Sequence, residues 1–386
     1  MSVATLLLGA APPFRGPVTD TEPLTPIIPK DLPVRDGPRL TLVNSYDAKE
    51  NLLGFQFLDK GRILISGMWD PPVIFWDTRT GKVKGKLDVE ICWGVACSPD
   101  GKILATGSGD GSVIQLTDAS SLKPIATLEG HKRALIDLVF LPDNRRLLSF
   151  ARDGTARMWD TKTRKQIYSI VRSEDWILFP NYALSPDSSL LVTGDGTELT
   201  VWDVRTGKKL REASVYANWG VKEIRFSPDG KHLGCHNNVG CAGCVLRAKD
   251  LQKVGDAPEG KVYGASIGAM LTGDRMVVRN GEGMQVWNYK TKRIEARLQV
   301  HRELLEDVLL SADGKRMVSV DQGGVGYVWD VKTWRPILKL TGMGGKPRVL
   351  ELSPDGLSLA YRADREGVVY LHDLTVPAKK PVVRPK

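Results

Sequence analysis

From residue 51 onward the apolar and polar positions of the chain follow one pattern that keeps returning. Each copy opens with a short run of alternating apolar and polar residues, turns at a sequence of the "SPDG" kind, and makes a second run. It then turns again and ends a third run near Trp-Asp. Alternation with a period of two predicts a β-strand, and Ser, Pro, Asp and Gly together predict the tight turn between two of them. The turn appears as "FLDKG" from Phe57, "SPDG" from Ser98, "LPDN" from Leu141, "SPDS" from Ser185 and "SPDG" from Ser227. A weak "LTGD" from Leu271, "SADG" from Ser311 and "SPDG" from Ser353 follow, and neighbouring copies lie 40 to 44 residues apart. The ends of the third runs keep the same step, at Trp76, Thr117, Trp159, Trp202, Leu246, Trp287, Trp329 and His372. Two independent markers on one period predict a repeated structural unit.

Each unit continues through a polar turn, "TRTGK" after Asp77 or "VRTGK" after Asp203, into a fourth strand such as "KVKGKL". Four short antiparallel strands cannot bury both of their faces alone, so units must stack, and a ring of them removes the exposed ends. These residues resemble the WD-repeat β-propeller family over about residues 38–375. The resemblance implies an all-β fold, a single closed propeller of four-stranded antiparallel blades. It also implies an internal hydrogen-bonding set in blades three and seven: His131, Ser149 and Trp159 in one, His301, Ser319 and Trp329 in the other. Asp153 completes the set in blade three, whereas in blade seven Asp321 sits two residues from the matching place. Eight units predict eight blades, with seven and a stray unit as the alternative. The segment 38–46, "PRLTLVNSY", would supply the outer strand missing from the last blade.

Residues 1–37 read as a separate segment. "VATLLLGAA" has the apolar core and small-residue end of a signal peptide without the preceding Lys or Arg, and residues 11–38 are rich in Pro and Thr, as in an unpaired extended tail. Cytoplasmic and exported placements both stay open, and no apolar run approaches the roughly 18 residues that span a membrane. Residues 376–386 form a basic tail.

The formal net charge of +9 points to acidic partners only if it is gathered on one face. Basic residues do recur in the turn after each Trp-Asp, for example Arg205, Lys208 and Lys209, but the "SPDG" turns bring Asp100, Asp143, Asp187, Asp229, Asp313 and Asp355 to that same face. Nucleic-acid or anionic-surface binding through this ring is therefore the second reading, behind ordinary solvated turns.

The opposite face gathers the entrances of the innermost strands, where the resemblance implies that WD-repeat proteins grip peptides and other domains. Trp93, Trp176, Trp219, Lys222, Glu306, Lys346 and Arg348 stand there, and Trp and Arg dominate binding hot spots. They are the expected partner-binding residues, with packing between blades as the competing account of the tryptophans. No phosphate loop of the Walker type is present, and His131, His301 and His372 fall on repeat positions, which leaves no catalytic triad and predicts no cofactor. The expectation is a non-catalytic scaffold for a protein or peptide partner, monomeric within a larger complex.

"GCHNNVGCAGC", residues 234–244, is the remaining motif. Cys235 falls on the position of Ser149 and Ser319, so a small buried replacement is the simplest reading. A cross-strand disulfide from Cys235 to Cys244 or Cys241 is the next. A metal-binding or enzymatic use of the cluster comes last, because residues three apart on a strand face opposite ways.

Overall fold

A computed structural model describes residue 25, residues 28–43, and residues 52–376 apart from 59–60, 69–72, 88–93, 108–111, 172–180, 216–219, 238–242, 259–265, 281–282 and 364–367. Eight sheets account for its strands, and in blades one to six the strands follow chain order from the channel outward. Blade three shows the unit: Leu135–Phe140 innermost, then Arg146–Ala151, Thr155–Asp160 and, outermost, Lys165–Val171.

Burial depends on position in the blade more than on alternation. In Arg146–Ala151 every residue from Leu147 on is buried, because neighbouring blades cover both faces of the second strand, and such strands read as continuous apolar runs. The outermost strand is exposed except at Tyr168 and Ile170. The apolar core is accordingly a series of seams, each cluster drawing on two adjacent blades. Blades three and four meet through Leu148, Phe150, Met158, Leu191 and Val204. Blades eight and one meet through Leu42, Ala360, Val369, Leu371, Phe57, Leu64 and Trp76, so the ring is closed. Polar bonds near the channel cross the same seams: the Tyr182 hydroxyl donates to Asp137 Oδ2 at 2.7 Å, and the Phe57 amide donates to Glu351 Oε1 at 3.0 Å.

The "SPDG" turns repeat one bonding pattern. Ser98 Oγ donates to Asp100 Oδ1 at 2.7 Å and accepts from the Ile103 amide at 2.9 Å, while Gly101 takes φ of 73°, where a Cβ would be strained. Ser311 and Ser353 bond in the same way.

Ring closure uses the N-terminal part of the chain as its sequence predicts. Leu40–Val43 pairs antiparallel with Val368–Asp373 as the outer strand of blade eight. One expectation fails: residues up to 37 are not all unpaired. Val34–Asp36 adds a fifth strand, in parallel, to the outer edge of blade seven, with Val34 beside Lys339 and Asp36 beside Thr341. Pro33 and Gly37 bracket so short a strand that no alternation could reveal it.

Candidate functional site

Two buried networks lie beneath the rim, one in blade three and one in blade seven. In blade three the Trp159 indole N–H donates to Ser149 Oγ at 2.8 Å, Ser149 Oγ lies 2.7 Å from His131 Nε2, and His131 Nδ1 lies 3.0 Å from Asp153 Oδ2. Counting donors assigns the protons: the hydroxyl donates to Nε2 and Nδ1–H donates to the carboxylate. Burial raises the Asp153 carboxyl, but hydrogen bonds from His131, Thr155 and the Lys132 amide outweigh it and hold the group well below the usual carboxylate range. The order Ser, His, Asp is that of a hydrolytic triad, yet Ser149 is fully buried and its oxygen already accepts the indole N–H, so it has no access to a substrate.

Blade seven closes the same network in spite of the displaced acid. Trp329 Nε1 donates to Ser319 Oγ at 2.9 Å, His301 Nε2 lies 2.7 Å from that oxygen, and His301 Nδ1 lies 2.9 Å from Asp321 Oδ2. Asp321 reaches the imidazole from the end of the second strand, and its other oxygen accepts the Val325 amide at 2.9 Å, which fixes the turn 321–325.

That turn supports the rim above it. The Gln322 amide donates to the Leu304 carbonyl, and the Lys346 amide donates to the Gln322 carbonyl, both at 2.9 Å. Gly324 approaches the Gly344 carbonyl oxygen so closely that a Cβ would collide with it. The connection into blade eight is thereby held in an uncommon path: Gly342, Gly344, Lys346 and Val349 all have positive φ, at 68°, 75°, 48° and 49°. For Val349 this is strained, since a β-branched side chain crowds the backbone there. Strain of this kind persists only where the surroundings enforce it and concentrates at functional sites.

Val349 is 43% exposed and Leu304, across the seam, 52%. In blade three the residue equivalent to Leu304 is Ala134, which makes the same backbone bond to Arg152. Lys346 and Arg348 are exposed beside Val349, and Arg348 stands across from Arg362 in strand register. Glu303 is exposed and Glu306 half-buried on the blade-seven side. The rim thus presents two exposed apolar side chains, with Lys346 and Arg348 on the blade-eight side and Arg302, Glu303 and Glu306 on the blade-seven side.

Of the expected partner-binding residues, the structure thus gathers Glu306, Lys346 and Arg348 at the junction of blades seven and eight. Lys222 lies on Val221–Phe226 in blade five, with its side chain outside the described residues. Trp93, Trp176 and Trp219 lie outside the described residues altogether. Val349 escaped sequence reasoning, because nothing in "PRVLEL" signals a left-handed valine.

The opposite face has mixed charge. Hydrogen bonds from Ser98, Ser185 and Ser311 lower the carboxyls of Asp100, Asp187 and Asp313, which therefore stay ionised among the basic turns. Among the described residues no group of three His, Cys, Asp or Glu side chains could hold a metal ion, and no helix is long and apolar enough to cross a membrane. Cys235 and Cys244 are buried direct partners in register on neighbouring strands, and Cys241 lies outside the described residues. The Cys244 thiol bonded to it, together with burial, pushes the Cys235 thiol well up. Thiolate chemistry is disfavoured there. His236 Nδ1 lies 3.3 Å from Glu223 Oε2, and His232 packs edge-on to Tyr289.

Comparison with known proteins agrees with this geometry. A sequence profile described as "WD domain, G-beta repeat" matches residues 80–115 and 122–160. The chain is a WD-repeat β-propeller. It is 31% identical over 188 residues to Periodic tryptophan protein 2 of Arabidopsis thaliana, which covers 47% of this chain and 19% of the relative. It is 24% identical over 320 residues to a guanine nucleotide-binding protein subunit beta of Oryza sativa subsp. indica, covering 77% of this chain and 73% of the relative. COMPASS component SWD3 of Saccharomyces cerevisiae is 26% identical over 179 residues, or 42% of this chain and 54% of that protein. The chain thus spans about a fifth of the first of these relatives and about half of the third.

Proposed function

We propose that this propeller is a non-catalytic scaffold that binds a protein or peptide partner on the rim where blades seven and eight meet. The observation that carries the reading is the strained, exposed Val349 at the entrance to blade eight together with exposed Leu304 at the entrance to blade seven, on inner strands that adjoin across the seam. Val349 sits in a register irregularity between Arg348 and Glu351, and neither its side chain nor that of Leu304 is buried in the core. The relatives named as a subunit and as a component belong to assemblies by those names, and this supports a role by association. Lys346 and Arg348 suit an acidic flank on the partner.

The test is affinity capture of tagged protein from its native cell, quantified by mass spectrometry, for the parent chain and for Leu304→Glu. The substitution sits at an exposed position and leaves the networks intact, so the captured set should shrink sharply while the circular dichroism spectrum is unchanged. An identical captured set would refute the proposed rim.

A further inference from the structure

The outer edges of the blades show how this chain recognises an extended peptide, because one of them already holds its own. On blade seven, Val34–Asp36 lies in parallel along Arg335–Thr341: the Lys339 amide donates to the Pro33 carbonyl at 2.9 Å, the Gly37 amide to the Thr341 carbonyl at 2.9 Å, and Thr341 Oγ1 to Asp36 Oδ1 at 2.8 Å. Under that cover Ile337, Lys339 and Thr341 are half-buried.

Lys165–Val171 of blade three is the same strand at the same length. Lys165 lies across from Asp160 as Arg335 does from Asp330, so Ser169, Ile170 and Val171 stand where Lys339, Leu340 and Thr341 receive the added strand. Here, among the described residues, no strand covers the edge. Ile167 is 47% exposed and Val171, at 74%, is the most exposed of the large apolar side chains described.

Open strand edges are templates for another chain, and proteins blunt them with charges or proline. Most of the other open outer strands of this ring obey that rule, the exception being the four-residue Leu40–Val43 of blade eight, which has neither charge nor proline. Val83–Leu87 carries Lys84 and Lys86, Pro124–Leu128 begins with proline, Lys209–Ser214 carries Lys209, Arg211 and Glu212, Lys253–Asp256 carries Lys253 and Asp256, and Arg293–Leu298 carries Arg293, Glu295 and Arg297. After Lys165, the residues Gln166–Val171 have neither charge nor proline. At the start of the strand Lys162, Arg164 and Lys165 are exposed and form none of the ion pairs among the described residues.

We infer that the outer edge of blade three binds an extended segment of a partner protein as an added parallel strand. Backbone bonds to the edge supply affinity, as in other strand-addition complexes. Val171 replaces the hydroxyl that Thr341 offers to Asp36, so the occupant presents a β-branched or aromatic side chain there instead of a carboxylate. Because the strands run in parallel, residues preceding the occupant's strand pass Lys162, Arg164 and Lys165, and these select an acidic flank.

This site is separate from the rim of blades seven and eight, and the experiment keeps the two apart. The probe is a fluorescein-labelled peptide of two aspartates followed by alternating valine and threonine, titrated against the full chain by anisotropy, with amide hydrogen exchange to locate it. Saturable binding is expected, with protection confined to Lys165–Val171. Binding should weaken roughly tenfold in Val171→Asp and in the pair Lys162→Glu with Lys165→Glu, and should be unchanged in Leu304→Glu. Absence of saturable binding, protection elsewhere, or indifference to Val171→Asp overturns the inference. So does sedimentation of the parent chain as a dimer that Val171→Asp dissolves, which would assign the edge to a second copy.

Discussion

Ser319 and Thr106 occupy the same place on the second strand of blades seven and two, and both are fully buried. Removing their hydroxyls should have opposite effects. Ser319 Oγ accepts the Trp329 indole N–H and bonds His301 Nε2, so Ser319→Ala leaves two buried polar atoms without partners. Each such atom costs about 1–3 kcal/mol, which puts the loss at about 2–6 kcal/mol. Thr106 Oγ1 has no partner, and neither does Thr117 Oγ1, which stands where blade seven has its indole. Thr106→Val keeps the shape and deletes an unsatisfied hydroxyl, so it should be neutral or stabilising by about 1 kcal/mol. The converse change, Thr117→Trp, would offer Thr106 an indole N–H as Trp202 Nε1 does for Thr193 Oγ1 at 2.9 Å in blade four, but Thr117 is fully buried, so overpacking should lower stability. Urea unfolding followed by tryptophan fluorescence measures all three, with the midpoint as readout and a constant slope as the check on two-state behaviour. A Thr106→Val midpoint that falls as far as that of Ser319→Ala would refute the claim that the network, and not mere burial of a small polar residue, stabilises the networked blades.

Two further outcomes follow from buried groups. Burial pushes the Glu351 carboxyl up to about 7 from 4.5, even though its Oε1 accepts the Phe57 amide. The folded chain therefore holds that proton more tightly than the unfolded one, and the associated stability is present below pH 4.5 and lost as pH rises through about 7. Glu351→Gln keeps the amide's partner and cannot ionise, so its advantage over the parent should grow across that window by at most about 3 kcal/mol and then level off. Burial lowers His372 to about 4, which acts in the opposite sense as pH falls from 6.5, so the difference between variant and parent is the quantity to plot. For Cys235 and Cys244, thiol reagents should label neither in the folded protein and both after unfolding. We propose that the register pair closes into a disulfide if the chain folds under oxidising conditions, and peptide mapping without reductant reads that directly.

The blades, their number and the strand that closes the ring were legible because each rests on local periodicity or on a missing fourth strand, and both are properties of sequence spacing. The network of blade three was legible for the same reason. Asp321 was not, because whether an acid two residues early can reach His301 depends on a short turn and a side chain at a strand end. The added strand Val34–Asp36 left no trace, since its pairing is parallel, distant in sequence and too short to alternate. Half of the rim was visible as Glu306, Lys346 and Arg348; Val349 was hidden because its left-handed backbone falls in a register irregularity between Arg348 and Glu351 that no residue type announces. Of the three clustered cysteines, Cys235 and Cys244 are buried and paired in register as part of the core, while Cys241 lies outside the described residues.

The most direct measurement sets the two faces against each other in one capture experiment. One variant carries Leu304→Glu and Val349→Glu on the rim; the other carries Arg205→Glu, Lys249→Glu and Lys292→Glu, exposed positions in the basic turns of the opposite face. The rim variant should lose the partners that the parent retains, and the turn variant should keep them at physiological salt. Loss of partners by the turn variant with an intact set on the rim variant would contradict the assignment and place recognition on the basic face.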